Sequence, residues 1–183
     1  MPETFAGLPP TTQLSSGQEA FLDEARRMVA HLGAPVSQYV RTSARVERFR
    51  GSDQLILALT NPVNAITVEA SVSANEIIID MSQADRWSYH WHFAPTWNDV
   101  YGAVPDRSWL SLAVDFVSDL LLGEVRVCST YRGDDLVKIH VEVISAEGEP
   151  IVSGTAGFPT AAGLKFWRER RYEEATVRLL LRG

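Results

Sequence analysis

Two histidines and two carboxylates are the side chains whose types and spacing come nearest to a chemical site in this chain. His90 and His92 alternate with aromatic residues along segment 87–93, so both imidazoles point to the same face of a predicted strand. Matching apolar with apolar residues between the two preceding segments places Glu69 opposite Asp80 on the same polar face. We therefore expect these four side chains to converge on one side of a sheet.

A His-x-His pair on a strand can bind a metal ion, and a carboxylate beside an imidazole can act as an acid–base pair. The two histidines resemble the histidine pair of the cupins, but the glutamate expected a few residues later is absent and Asp99 follows too late to replace it. Because no third ligand stands at a recognisable spacing, we predict neither a metal nor a cofactor here. A solvated sheet face with two ordinary histidines is the simpler interpretation.

The loop after this strand, 94–105, carries Trp97, Asp99 and Tyr101. Loops on a rigid sheet concentrate recognition residues, and large aromatic side chains dominate binding hot spots. A carboxylate suits an Arg or Lys of a partner. We therefore predict a binding surface formed by Trp97, Asp99 and Tyr101 with the adjoining His90 and His92. This hypothesis requires both aromatic rings to be at least partly exposed, and anchoring of the loop is the alternative.

Composition narrows the class of protein. The chain has 183 residues, with 17 Lys and Arg against 23 Asp and Glu, giving a formal net charge of −6. An acidic chain is a poor candidate for binding nucleic acid, and no apolar run approaches the roughly 20 residues that span a bilayer. The first residues lack the basic and apolar regions of a signal peptide, so we expect a cytoplasmic protein.

Cys128 is the only cysteine and lies in an apolar strand pattern, which predicts a small buried side chain.

These observations favour a non-catalytic intracellular protein that binds another protein. An inhibitor or immunity-type protein that neutralises a toxin fits an acidic domain with aromatic loop residues and no catalytic motif. Its acidic surface would speed the encounter with a basic toxin domain. We expect no nucleic acid or membrane among its partners.

An enzyme is the alternative. The predicted helix over 107–122 and the three predicted strands after it, the last ending at Ala156, resemble the second half of a hot-dog thioesterase or dehydratase domain. The resemblance covers residues 107–156 alone, and Pro105 and Asp106 stand where that family has a His-Gly-Gly entry to its helix. It implies action on an acyl thioester. Asp115 and Asp119, one turn apart on the predicted helix, are the candidates for the general base, and Asp115 is the one we select.

Periodicity predicts the elements that position these residues. An N-terminal helix over 17–32 has a capping box at Ser16 and Glu19 and a stop at Gly33. Alternating segments predict strands at 44–49, 55–59, 65–72, 76–82, 87–93, 125–131, 136–145 and 151–156. Segment 164–175 is predicted as a C-terminal helix, with 176–181 continuing it or forming an edge strand.

The predicted fold is therefore one α+β domain over 16–183, preceded by a flexible tail at 1–15. Its predominantly antiparallel sheet of about seven to eight strands packs on a buried central helix over 107–122.

Overall fold

The computed structural model describes residues 4–84, 86–102, 107–157 and 170–180. Within these ranges the helices are α1 (Ser16–Leu32), α2 (Ala34–Tyr39) and α3 (Trp109–Leu122). The strands before α3 are β1 (Arg41–Phe49), β2 (Ser52–Asn61), β3 (Ile66–Val72), β4 (Ile77–Gln83), β5 (Trp87–Ala94) and β6 (Trp97–Asn98). Those after it are β7 (Glu124–Arg132), β8 (Asp135–Ile144), β9 (Pro150–Gly157) and β10 (Arg170–Val177). The α+β class with antiparallel sheets is confirmed.

The strands form two sheets. Sheet A has the order β1-β2-β3-β4-β5-β6, and sheet B the order β10-β7-β8-β9. The structure describes ten strands in two sheets where about seven to eight strands in one sheet were predicted. The additional strands are β6 and β10, and the described strands that follow α3 pair with one another rather than with sheet A. Short turns between consecutive strands produce the antiparallel order of sheet A.

The register between β3 and β4 follows the predicted alternation. Val72 pairs with Ile77, Val68 with Met81, and Glu69 with Asp80. Burial alternates along β3 and along β4 as far as Ser82, with every apolar residue of these pairs on the core side. Because a slip of one residue would move all of them to solvent, the hydrophobic pattern itself specifies the pairing.

The prediction of a C-terminal helix is wrong for the part of that segment which the structure describes. Arg170–Val177 is β10, antiparallel to β7, and residues 164–169 lie outside the described residues. The open edge of β7 supplies a ladder of backbone partners that an isolated amphipathic pattern does not reveal. The guanidinium of Arg171 lies 4.7 Å from the ring centre of Tyr131 on β7, which adds a side-chain contact to the pairing.

The capping box of α1 stands one residue earlier than predicted. Ser15 accepts from the backbone N–H of Gln18, and the Gln18 side chain accepts from the backbone N–H of Ser15. Ser15 and Ser16 are chemically equal candidates for a cap, so spacing alone could not separate them. The Gln18 amide also donates to the carbonyls of Asp53 and Val72, which ties α1 to sheet A.

The core lies between the helices and the inner faces of the sheets. In α3 the buried residues are Leu112, Ala113, Val114, Phe116, Val117, Leu120 and Leu121. The segment predicted as a tail has an anchored part, since Phe5 is buried and its N–H donates to the Thr42 hydroxyl. None of the helices in the described ranges is long and apolar enough to cross a membrane.

Candidate functional site

Strand β5 places His90 beside the two carboxylates that the sequence predicted near it. His90 pairs with Asp80 on β4, and Asp80 pairs with Glu69 on β3, so the three side chains form one row across sheet A. Glu69 also accepts from Arg45 at 2.9 Å. His92 lies in the next row, opposite Ile78.

Asp80 is the perturbed group of this row. Partial burial raises the pKa of its carboxyl, and the neighbouring Glu69 raises that pKa further, while the histidines oppose the shift. Desolvation disfavours a charged carboxylate, so Asp80 retains a proton to higher pH than an exposed aspartate would.

His92 joins the row to the loop. Its Nδ1 lies 2.6 Å from Glu76 Oε1, and its ring stacks on Trp97 with 6.0 Å between the ring centres. The ring of His90 meets that of His92 edge-on at 5.1 Å. Trp97 remains 48% exposed despite this contact. Single-strand periodicity does not indicate Glu76 as a site residue, because its contact with His92 runs diagonally between two strands.

Asp99 extends the edge of β5 with its backbone and its side chain. Its N–H donates to the His92 carbonyl at 3.0 Å, and its carboxylate Oδ2 accepts from the His92 N–H at 2.7 Å. The carboxylate therefore occupies the position that a carbonyl of a neighbouring strand would take. The side chain of Asp99 is exposed, so it carries negative charge at the surface.

Tyr101 differs from Trp97, because its hydroxyl is already committed. It donates to Asp119 Oδ2 on α3 at 2.7 Å, and its ring lies edge-on to buried Phe116 at 6.4 Å. Burial raises the pKa of Asp119, and burial together with this hydrogen bond raises the pKa of Tyr101. Tyr101 is partly buried and fastens the loop to α3, whereas Trp97 faces outward.

A cleft of about 450 Å³ opens beside this surface. One wall is residues 88–92 of β5 with Asp99, and the other consists of Val152, Ser153, Gly154 and Ala156 of β9. The sheets approach closely at one point, where a Cβ on Gly154 would stand 2.0 Å from the Tyr89 hydroxyl. No pattern in the sequence indicates this cleft, because its walls come from different sheets, far apart in the chain.

Within the described residues, no group of three or more His, Cys, Asp or Glu side chains is placed to bind a metal ion. Around His92, the Glu76 carboxylate hydrogen-bonds the ring and the Asp99 carboxylate hydrogen-bonds the backbone N–H.

The two general-base candidates of the enzyme alternative have different surroundings. Asp119 accepts from the Tyr101 hydroxyl, whereas Asp115 is exposed on α3 and its carboxylate pairs with Arg107. It does not line the cleft between β5 and β9. The order of a helix followed by three strands is present, but these strands form a separate sheet with β10.

Cys128 is not the buried residue that the sequence predicted. It is partly exposed on the outer face of sheet B, paired with His140 on one side and Glu174 on the other. Its neighbours Val127 and Ser129 on β7 are buried, so the strand alternates and the thiol lies on the outer face.

No family model, curated protein or solved structure matches this chain.

Proposed function

We propose that this chain is a non-catalytic intracellular protein that binds and neutralises another protein, in the manner of an inhibitor or immunity protein. Its partner would be a protein with a basic surface, such as a toxin domain. The working surface is formed by His90, His92, Trp97 and Asp99, with Tyr101 holding the loop in place.

The observation that carries this proposal is the exposure of Trp97. Its indole is 48% exposed although it stacks on His92, whose position is in turn fixed by Glu76. A large aromatic ring held in one orientation loses little conformational entropy on binding, which is the property of a hot-spot residue.

Charge supports a basic partner. Asp99 is the formally charged residue among those that line the cleft, and Glu76 and Asp80 lie on the same surface. The net charge of −6 adds a long-range attraction toward a cationic protein. These charges would accelerate association and favour one orientation of docking more than they would raise affinity.

A binding and inhibition screen tests this function. The purified chain is titrated against a panel of basic toxin domains, with binding read by calorimetry and toxin activity measured in the same mixtures. We expect one domain to be bound and inhibited at stoichiometric concentration. Absence of binding, together with hydrolysis of a fluorogenic acyl thioester that Asp115→Asn abolishes, would replace this proposal with the enzyme alternative.

A further inference from the structure

The edges of the two sheets differ in how many charged residues protect them, and this difference singles out β5 and β9. An unpaired strand edge attracts other strands, and proteins commonly protect it with charged residues or a covering segment. β1 carries Arg41, Arg45, Glu47 and Arg48, and its Ala44 N–H donates to the Ala6 carbonyl. β10 carries Arg170, Arg171, Glu173 and Glu174. β5 and β9 contain no Lys, Arg, Asp or Glu, and both line the same cleft.

The backbone groups on the open edge of β5 can be assigned from its pairing. Because the N–H and C=O of His92 bond Asp99, they point away from β4. In an antiparallel ladder these directions alternate residue by residue, so those of Ser88 and His90 also point away from β4. Pairing with β6 involves only Phe93 and Ala94, and no other described strand pairs with the 88–91 edge.

We propose that an extended segment of the protein partner adds as a strand to β5 along residues 88–91, inside the cleft that β9 bounds on its other side. This inference rests on the proposed function and names how the partner binds. The segment would continue the line of β6 and hydrogen-bond the backbones of Ser88 and His90. Asp99, at the end of this edge, would attract a basic side chain of the segment.

Pairing within the chain supports strand addition at this edge. β6 already pairs with its last two residues, and the Asp99 carboxylate takes the place of the next strand carbonyl. A partner strand would extend this pairing by about four residues, or about 13 Å at the usual strand rise. Trp97 lies opposite Ala94, two residues before Asp99, and its ring stacks on His92 beside the 88–91 edge.

Amide hydrogen exchange in the free protein tests the edge without any partner. We expect the amides of Ser88 and His90 to exchange rapidly and those of Tyr89 and Trp91, which face β4, to be protected. Equal protection of all four amides would overturn the proposal, because it would show that the edge is already covered.

Proline substitution tests the binding step. His90→Pro removes one outward N–H and leaves the β4–β5 ladder intact, while His90→Ala removes the same side chain and keeps the N–H. The probes are peptides of about twelve residues, selected from a displayed random library on the wild-type chain, long enough to cover the edge. We expect His90→Pro to weaken their binding at least about tenfold more than His90→Ala does.

N-methylated peptides repeat the test on the wild-type chain, so a folding defect of the proline variant cannot decide the result. Every second N–H of the bound peptide would face β5. Methylation of these nitrogens should abolish binding, and methylation of the nitrogens that face away from β5 should leave binding unchanged. Strand addition would be overturned if both His90 variants weakened binding equally, or if peptide binding did not change on methylation. It would also be overturned if the library yielded no binder. The proposed function would survive these results if a toxin domain still binds through Trp97.

A second copy of this chain is the competing occupant of the edge. Sedimentation of the free chain distinguishes it: a wild-type dimer that His90→Pro dissociates would overturn the partner segment, and a monomer supports it.

Discussion

Replacement of Tyr101 by phenylalanine isolates the contact that holds the binding loop on α3. The substitution removes the hydroxyl that donates to Asp119 at 2.7 Å and keeps the ring against Phe116. A partly buried carboxylate that loses its donor keeps its desolvation penalty, so we expect Tyr101→Phe to lower the free energy of unfolding by about 1–3 kcal/mol near pH 7. Tyr172→Phe is the matched control, because Tyr172 is 61% exposed.

The effect should depend on pH in a defined direction. Burial raises the pKa of Asp119 in the folded chain, and the Tyr101 hydroxyl counters that rise. A carboxyl whose pKa is higher in the folded chain than in the unfolded chain stabilises the fold fully at pH values below its unfolded-state pKa. This stabilisation is lost as the pH rises through the folded-state pKa. Losing the hydroxyl raises the folded pKa of Asp119 further, so the cost of Tyr101→Phe should be small in acid and larger at neutral pH.

Urea unfolding of both variants and the wild type, followed by tryptophan fluorescence and circular dichroism near pH 4 and near pH 7, measures this difference. A cost that is equal at the two pH values, or no greater than that of Tyr172→Phe, would refute the role assigned to Asp119.

Three further predictions concern the core, the cleft and metal binding. Phe116→Ala should lower the free energy of unfolding by about 3–5 kcal/mol in chemical denaturation, because the ring is fully buried; a change within error would contradict its place in the core. Gly154→Ala should destabilise by about 1–3 kcal/mol, since the new Cβ meets the Tyr89 ring, while Gly157→Ala in the same strand meets open space and should be neutral or slightly stabilising. Equal effects of the two glycine substitutions would show that the sheets do not touch there. Elemental analysis of untagged protein should find no stoichiometric metal, and one zinc or iron per chain, lost when both histidines of β5 become alanine, would overturn this.

Local pattern was sufficient to predict the part of the fold that carries the histidines. Alternation along β3, β4 and β5, joined by short turns, determined which residues face the core and hence the row of Glu69, Asp80 and His90. The helix predicted over 107–122 is present as Trp109–Leu122, because a wide apolar arc and Ser108 as its cap are properties of the segment itself.

Features that depend on distant pairing could not be predicted. Residues Arg170–Val177 form a strand because β7 offers an open ladder, which the segment's own residues do not encode. Trp97 is exposed and Tyr101 anchors the loop because different residues lie opposite the two rings. Two aromatic residues of one loop look alike in sequence until Asp119 and Phe116 are placed beneath Tyr101.

Calorimetric titration of the partner domain with Trp97→Ala tests the binding surface most directly. Tyr172→Ala is the matched control, because it removes an exposed aromatic ring on β10, outside the cleft. We predict that Trp97→Ala weakens binding by about 2 kcal/mol, or about thirtyfold, with little loss of fold stability, while Tyr172→Ala leaves the affinity unchanged. Wild-type affinity in Trp97→Ala, or equal weakening by the two variants, would contradict it.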